Sequence, residues 1–321
     1  MTESQTQPLQ DVIEWLAPLL RSPITGAPLR AECGFCVSMD GTERYPISSS
    51  GIVVFGEAWL SDAARAQGEH YDAVAKSYLT NLGYPHTQEY MAYLDRAVLA
   101  EIPPASLGLT AELCCGRGEA FVLLGDRIAR GVGLDVSVRM LEAARTSLPG
   151  PRYAFIQADA TRLPLTEGVF DTVVMLGGIH HIPDRLALFA EIARILKPGG
   201  KFFFREPLDD FFLWRLIRKL VYRISPALDH RTERPLRWEE TVPVLDRVNL
   251  KCTKWRSCGF LGFCLFMNSD VLVFNRLFRF IPGIRWLTRL STKFDELLLN
   301  FSPLRGAGLQ VIGVVEKSRA E

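Results

Sequence analysis

The chain has 321 residues, 48% of them hydrophobic and 23% charged, which excludes a disordered or collagenous polypeptide and supplies material for about two domains. No apolar run reaches the ~18 residues of a bilayer span; GFLGFCLFM at 259–267 is half that length. The net charge of +1 sums unlike parts: residues 1–210 carry 18 Lys/Arg against 26 Asp/Glu, and residues 211–292 carry 15 against 6.

Glu3, Asp11 and Glu14 stand where a secretory signal would be basic and then apolar, so the chain is expected to stay in the cytoplasm. Seven cysteines in such a chain fit reduced thiols rather than a disulfide scaffold. The basic stretch has two readings, solvated helix faces or an anionic partner such as a membrane surface, nucleic acid or a charged substrate.

Residues 1–60 are rich in turn formers (Pro23, Gly26, Pro28, Gly34, Gly41, Pro46, Gly51), which predicts a small β-rich module. Helical spacing then sets in through Tyr71, Val74, Ala75, Tyr78 and Leu79, and again from Tyr90 to Leu99. Strand-like runs at 110–115, 131–136, 152–157, 170–176 and 200–205 alternate with helical stretches at 118–130, 138–147 and 185–197. That alternation predicts an α/β fold with a parallel sheet covered on both faces. Beyond 206 come two helices, at 210–224 and 238–248, and two strands, at 249–257 and 308–315. The strands are separated by about fifty residues crowded with Phe, Leu and Arg.

In AELCCGRGEA at 111–120, an acid near a strand end precedes Gly116 and Gly118, which open a helix. Such a turn lets backbone approach a ligand that faces the helix N-terminus. Asp135, 23 residues after Glu112, ends the next strand, and Asp159 follows the one after. An acid about 20 residues beyond a glycine turn is placed to accept hydrogen bonds from both hydroxyls of a ribose.

Through ELCCGRG, GLDVSVRMLEAAR, QADATRLPLTEGVFDTVVMLGGIHHIPD and EIARILKPGG, residues 70–206 resemble the class I S-adenosylmethionine-dependent methyltransferases of the small-molecule type. The resemblance implies a Rossmann-like seven-stranded sheet and S-adenosylmethionine as cofactor. By it, Glu112 and the 114–118 turn hold the methionine part, Asp135 the ribose, Met140 one adenine face, and Asp159 with Ala160 the adenine edge. Leu176 and Gly177 line the sulfonium end, Tyr71 or Tyr78 closes over the cofactor, and Val136 joins the binding set. The family's first turn glycine is Cys114 here. Packing is the preferred reading of the Cys114–Cys115 pair, over redox or metal chemistry.

Methyl transfer from a sulfonium mainly needs positioning, and a base only if the acceptor must lose a proton. His180 is the preferred base, with His181 and Glu206 as the other catalytic candidates. The segment 22–55 is similar to a zinc-ribbon-like module found in front of some methyltransferases. Only Cys33 and Cys36 remain of its two cysteine pairs, with Ser22 and Thr25 at the other, so no metal is expected.

The resulting division is a degenerate zinc-ribbon-like module at 1–60, a cofactor domain at 61–206, and helical cap insertions with the last two strands at 207–321. The cap segments are expected at the active-site rim, since the ligand side of an open α/β sheet is its carboxyl edge. Nine aromatics between 259 and 301 (Phe260, Phe263, Phe266, Phe274, Phe278, Phe280, Trp286, Phe294, Phe301) exceed what a cap over a small polar acceptor needs. With Arg218, Lys219, Arg223, Arg276, Arg279, Arg285 and Arg289 they point to a lipophilic, even anionic, acceptor or to peripheral membrane contact. The alternative is a helical core against itself or a second subunit.

The expected activity is methyl transfer to carbon or oxygen of an isoprenoid, lipid, quinone or polyketide. RNA base methylation and a cofactor-binding scaffold without transfer are the other readings; DNA is excluded as a partner.

Overall fold

The computed structural model describes residues 3–56, 59–224, 234–267 and 273–319, with the side chains of 3–9, 70–79, 219–224 and 273 outside that description. Tyr71, Tyr78, Lys219 and Arg223 therefore have no side-chain account.

The N-terminal region opens with a helix, α1 (Glu3–Leu16), in place of the wholly β-rich module that turn formers suggest. Val12 and Leu16, one turn apart, bury themselves, and Trp15 Nε1 donates to Pro151 O at 2.9 Å. Strands β1 (Leu29–Glu32), β2 (Phe35–Ser38) and β3 (Arg44–Pro46) form a small antiparallel sheet. Beside it, the buried Ser22 hydroxyl accepts from Ile24 N and Thr25 N, at 3.0 and 3.1 Å. Cys33 is exposed, whereas Cys36 is buried, its thiol pushed up to about 12 by desolvation.

Strand β4 (Val53–Val54) leaves this module and pairs parallel with β7 (Tyr153–Gln157). The main sheet therefore has eight strands where the sequence predicts seven. The physical reason is an edge: without β4, the outer backbone groups of the fully buried β7 would lack partners.

Two helices follow, α2 (Asp62–Leu82), capped by the Ser61 hydroxyl, and α3 (Pro85–Leu99), started by a proline in its first turn. Then come β5 (Leu109–Leu113), α4 (Glu119–Leu124), β6 (Arg130–Asp135), α5 (Val138–Ser147), β7, β8 (Phe170–Leu176), α6 (Arg185–Ile195) and β9 (Leu196–Pro207). The cap elements are α7 (Phe212–Ile224), α8 (Trp238–Arg247), α9 (Leu261–Phe266) and α10 (Ile284–Asn300), and the sheet closes with β10 (Leu250–Cys258) and β11 (Gln310–Lys317).

The strand order is β10-β11-β9-β8-β5-β6-β7-β4, with β11 antiparallel to both neighbours. Both faces of the central strands are buried, which is why those strands read as continuous apolar runs, whereas the edge strand β10 is largely exposed or half-buried. In Phe202-Phe203-Phe204 the outer two rings enter one core and the middle ring the other. Chain progression reverses between β5 and β8, so a crevice opens outside the carboxyl ends of those two strands.

Candidate active site

At the end of β5 the chain turns through Cys114 (φ 50°), Gly116 (φ 51°) and Gly118 (φ 77°), all left-handed. Cys114 adopts the conformation a glycine would, so the turn survives the substitution at a cost of about 1–3 kcal/mol in backbone strain. Burial, and then the nearby Asp135, Glu206 and Asp159 carboxylates, raise the pKa of its thiol well above the ordinary value.

A cavity of about 360 Å3 lies over this turn, and its wall includes Cys114, Gly116, Asp135, Val136, Met140, Asp159, Ala160, Leu176, Gly177 and His181. The ends of β5, β6 and β8 and the segment after β7 converge there. Asp135 Oδ2 accepts from Gly116 N at 2.8 Å and its Oδ1 from Ser137 N at 2.9 Å, which couples the acid to the turn. Asp159 accepts from Ser61 N (2.9 Å), Thr161 N (2.8 Å) and the Thr161 hydroxyl (2.7 Å). Burial alone would raise its pKa, but these donors outweigh it and hold the carboxyl below its usual range.

Four expected site residues, Glu112, Gly118, His180 and Glu206, are placed outside the cavity wall. Glu112 is 1% exposed and accepts from Ala120 N (2.7 Å) and Phe121 N (3.2 Å), fixing the start of α4 instead of lining the cavity. Burial pushes its pKa well up, with the two backbone donors working against that shift. Gly118 lies behind the turn, where a Cβ would meet Leu148 Cδ1 at 2.5 Å.

Glu206, wholly buried at the end of β9, accepts from Gly178 N (2.7 Å), Ile179 N (2.8 Å) and His180 N (3.3 Å), and its Oε2 lies 2.8 Å from His180 Nδ1. With both oxygens committed to the loop after β8, it orients His180 and has no path to an acceptor. His180 itself is not part of the cavity wall. His181 is, with its ring centroid 3.8 Å from that of His180.

The cavity also has walls that sequence reasoning did not find. Ser61, Ala63, Ala64 and Gln67 come from the start of α2, and Glu119, Arg162, Ile182, Pro183, Asp184 and Ala187 from around the rim. Small residues such as Ala63 and Ala64 carry no chemical signal. None of the described cap residues lines the cavity, against the expectation that the cap covers it. The cap instead docks on α3: Arg289 pairs with Glu89 at 2.7 Å, and Tyr90 OH donates to Asp295 Oδ2 at 2.6 Å. Arg218 pairs with Asp209 at 3.5 Å, so part of the basic excess is neutralised internally.

A family profile described as a methyltransferase domain matches residues 111–204. The demethylmenaquinone methyltransferase of Lactococcus lactis subsp. lactis is 38% identical over 96 residues, covering 28% of this chain and 38% of that protein. That of Mycolicibacterium vanbaalenii is 32% identical over 162 residues, covering 49% of this chain and 68% of that protein. Among solved structures, the cyclase SpnF superposes with a TM-score of 0.58 at 16% identity, over 81% of this chain and 98% of its own, which shows a shared fold. The chain thus spans less than half of the Lactococcus relative and about two thirds of the Mycolicibacterium one. It belongs to the class I S-adenosylmethionine-dependent methyltransferases.

The cavity residues fit that family's cofactor. Glu119, Asp135, Asp159 and Asp184 give the wall four carboxylates against one guanidinium, Arg162, which suits a ligand carrying a sulfonium and an ammonium group. Gln67 Oε1 is a buried acceptor without a partner among the described residues, available to a ligand donor. The volume lies within the roughly 300–1,000 Å3 usual for small-molecule sites.

Proposed function

We propose that this protein transfers a methyl group from S-adenosylmethionine to carbon or oxygen of a hydrophobic small molecule in the cytoplasm. The observation that carries the reading is the convergence of the Cys114–Gly116 turn, Asp135, Met140 and Asp159 on one acidic cavity at the reversal point of the sheet. Asp135 holds the ribose, with Val136 beside it. Met140 packs on the adenine, Asp159 and Ala160 face its edge, and the turn with Glu119 and Gln67 receives the amino-acid end.

Bound there, the cofactor supplies a methyl group already activated by its sulfonium. The chain's own task is therefore to position the acceptor and exclude water. Leu176, Ile182, Pro183 and Ala187 form one apolar stretch of the wall, which supports an acceptor with a hydrophobic body. The two relatives named for demethylmenaquinone support a quinone-like acceptor. His181, in the wall, is placed to take a proton where the acceptor must lose one. His180 and Glu206 stand behind it as positioning residues.

The N-terminal module, residues 1–60, reads as a zinc-ribbon relative in which the Ser22 hydroxyl gathers backbone donors in place of metal-bound sulfur. Stoichiometric zinc in purified protein would overturn that part. In this reading residues 61–206 are the cofactor domain, and 207–321 the helical cap insertions with the last two sheet strands. Calorimetric titration with S-adenosylmethionine tests the main proposal: wild type binds, and Asp135→Asn binds at least about tenfold more weakly, the weight of a charged hydrogen bond. No heat from the folded wild-type protein would overturn it.

A further inference from the structure

Helix α10 is turned opposite to the usual amphipathic rule. Its inward stripe is Ile284, Thr288, Thr292, Asp295 and Leu299, so three of five buried positions are polar. They are satisfied there: Thr288 Oγ1 donates to Ile284 O and Thr292 Oγ1 to Arg289 O, while Asp295 accepts from Tyr90 OH, Phe260 N and Gly262 N. The outward stripe is apolar. Trp286 is 66% exposed, Leu290 49%, Phe294 51% and Leu297 67%. The adjoining 3-10 segment Val273–Phe280 adds Phe274, Leu277 and Phe280, all more than half exposed. A soluble surface rarely shows this much contiguous apolar area without a partner.

Charge selects the partner. Exposed Arg279, Lys293 and Arg305 have no acidic partner among the described residues, and the Arg279 guanidinium lies 5.2 Å from the Tyr84 ring centroid and 4.7 Å from that of Phe280. Around this face the exposed Arg279, Arg285, Arg289 and Lys293 outnumber the exposed Glu296, even with Arg285 and Arg289 engaged by Glu89, so two copies of it would bring like charges together. Aromatic and aliphatic side chains flanked by cations match a bilayer surface bearing anionic headgroups. The insertion leaves the sheet after Cys258 and returns at Gln310, at the carboxyl edge where the cavity opens.

We infer that the outward face of α10 and the 273–280 segment docks on an anionic membrane surface, from which a lipid-dissolved acceptor reaches the cavity. This rests on the methyltransferase reading for the acceptor alone; the docking itself is read independently of it.

The test is flotation of the full chain with vesicles of phosphatidylcholine, alone or mixed with phosphatidylglycerol. Wild type should float with the anionic vesicles. Trp286→Ser/Phe294→Ser/Leu297→Ser, which changes only exposed positions, should lose about tenfold or more of that binding, and Arg279→Glu about fivefold or more. Cofactor titration on the same preparations separates the two readings, since intact cofactor binding without flotation defeats docking alone. Equal flotation of the triple variant, absence of wild-type flotation, or a dimer that the triple variant dissolves without any vesicle binding would each overturn the inference.

Discussion

The side chain of Cys114 occupies the space that Gly178 leaves open: a Cβ at 178 would lie 2.7 Å from Cys114 Cβ and 3.0 Å from its Sγ, besides 2.6 Å from the end of the flexible Met175 side chain, which can swing away. The two residues lie just beyond the ends of β5 and β8, on either side of the crevice. The non-glycine turn is thus accommodated across the sheet. Gly178→Ala should cost about 1–3 kcal/mol, read by thermal denaturation, because the clash is with atoms fixed close to the backbone. Cys114→Gly should be neutral or stabilising, since it relieves the left-handed strain. In the double variant most of the Gly178→Ala penalty should disappear; additive effects would show that the two positions do not share this space.

Asp295 joins the cap to the rest of the molecule through Tyr90 OH, Phe260 N and Gly262 N. Asp295→Asn replaces one acceptor oxygen with a donor that faces backbone N–H groups. We expect a loss of about 1–3 kcal/mol and faster amide exchange at 260–262. Cofactor affinity should be unchanged because the described cap residues lie outside the cavity wall. A large fall in affinity would show that the cap shapes the site.

His86 is fully buried among the rings of Tyr84, Phe266 and Phe278, with neither ring nitrogen hydrogen-bonded among the described residues. Burial lowers its pKa. The unfolded chain therefore binds a proton that the folded chain refuses, and stability falls as pH drops below the ordinary histidine value of about 6.5. Melting temperatures between pH 8 and pH 5 should show this decline, and His86→Leu should flatten it. An unchanged slope in the variant would assign the acid sensitivity to other groups.

The loop after β8 separates contact from positioning. His181→Ala should slow turnover by about 10²–10⁴-fold at unchanged cofactor affinity, if the acceptor loses a proton. Glu206→Gln and His180→Ala should each have a smaller effect, and the double variant should fall no further than the worse single one, since Glu206 acts through His180. Unchanged turnover in His181→Ala would remove it from the proposal.

The sheet was legible because its central strands, buried on both faces, stand out as apolar runs between helices. Strand β4 was not, because two residues make no pattern, and helix α1 was hidden by a polar start and the turn formers that follow it. Asp135, Asp159 and Leu176 declare themselves at or just after strand ends, and Met140 in the first turn of the helix after β6. Glu112 and Glu206 look identical in sequence to site acids, yet three-dimensional packing spends their oxygens on backbone donors. The start of α2 reaches the cavity only through the fold, by the bond from Ser61 N to Asp159. In α10, periodicity marks two stripes but not which one faces inward; Asp295 and its three donors decide that.

The central claim is methyl transfer to a hydrophobic acceptor, and its most direct measurement is S-adenosylhomocysteine release by the full chain. The chain would be supplied in parallel with a lipid extract containing quinones, with RNA, or with neither, and the product identified by mass spectrometry. Release above background with the lipid extract alone, and a methylated lipophilic product, is the predicted result. Release with RNA alone, or none with either acceptor while calorimetry registers the bound cofactor, would contradict it.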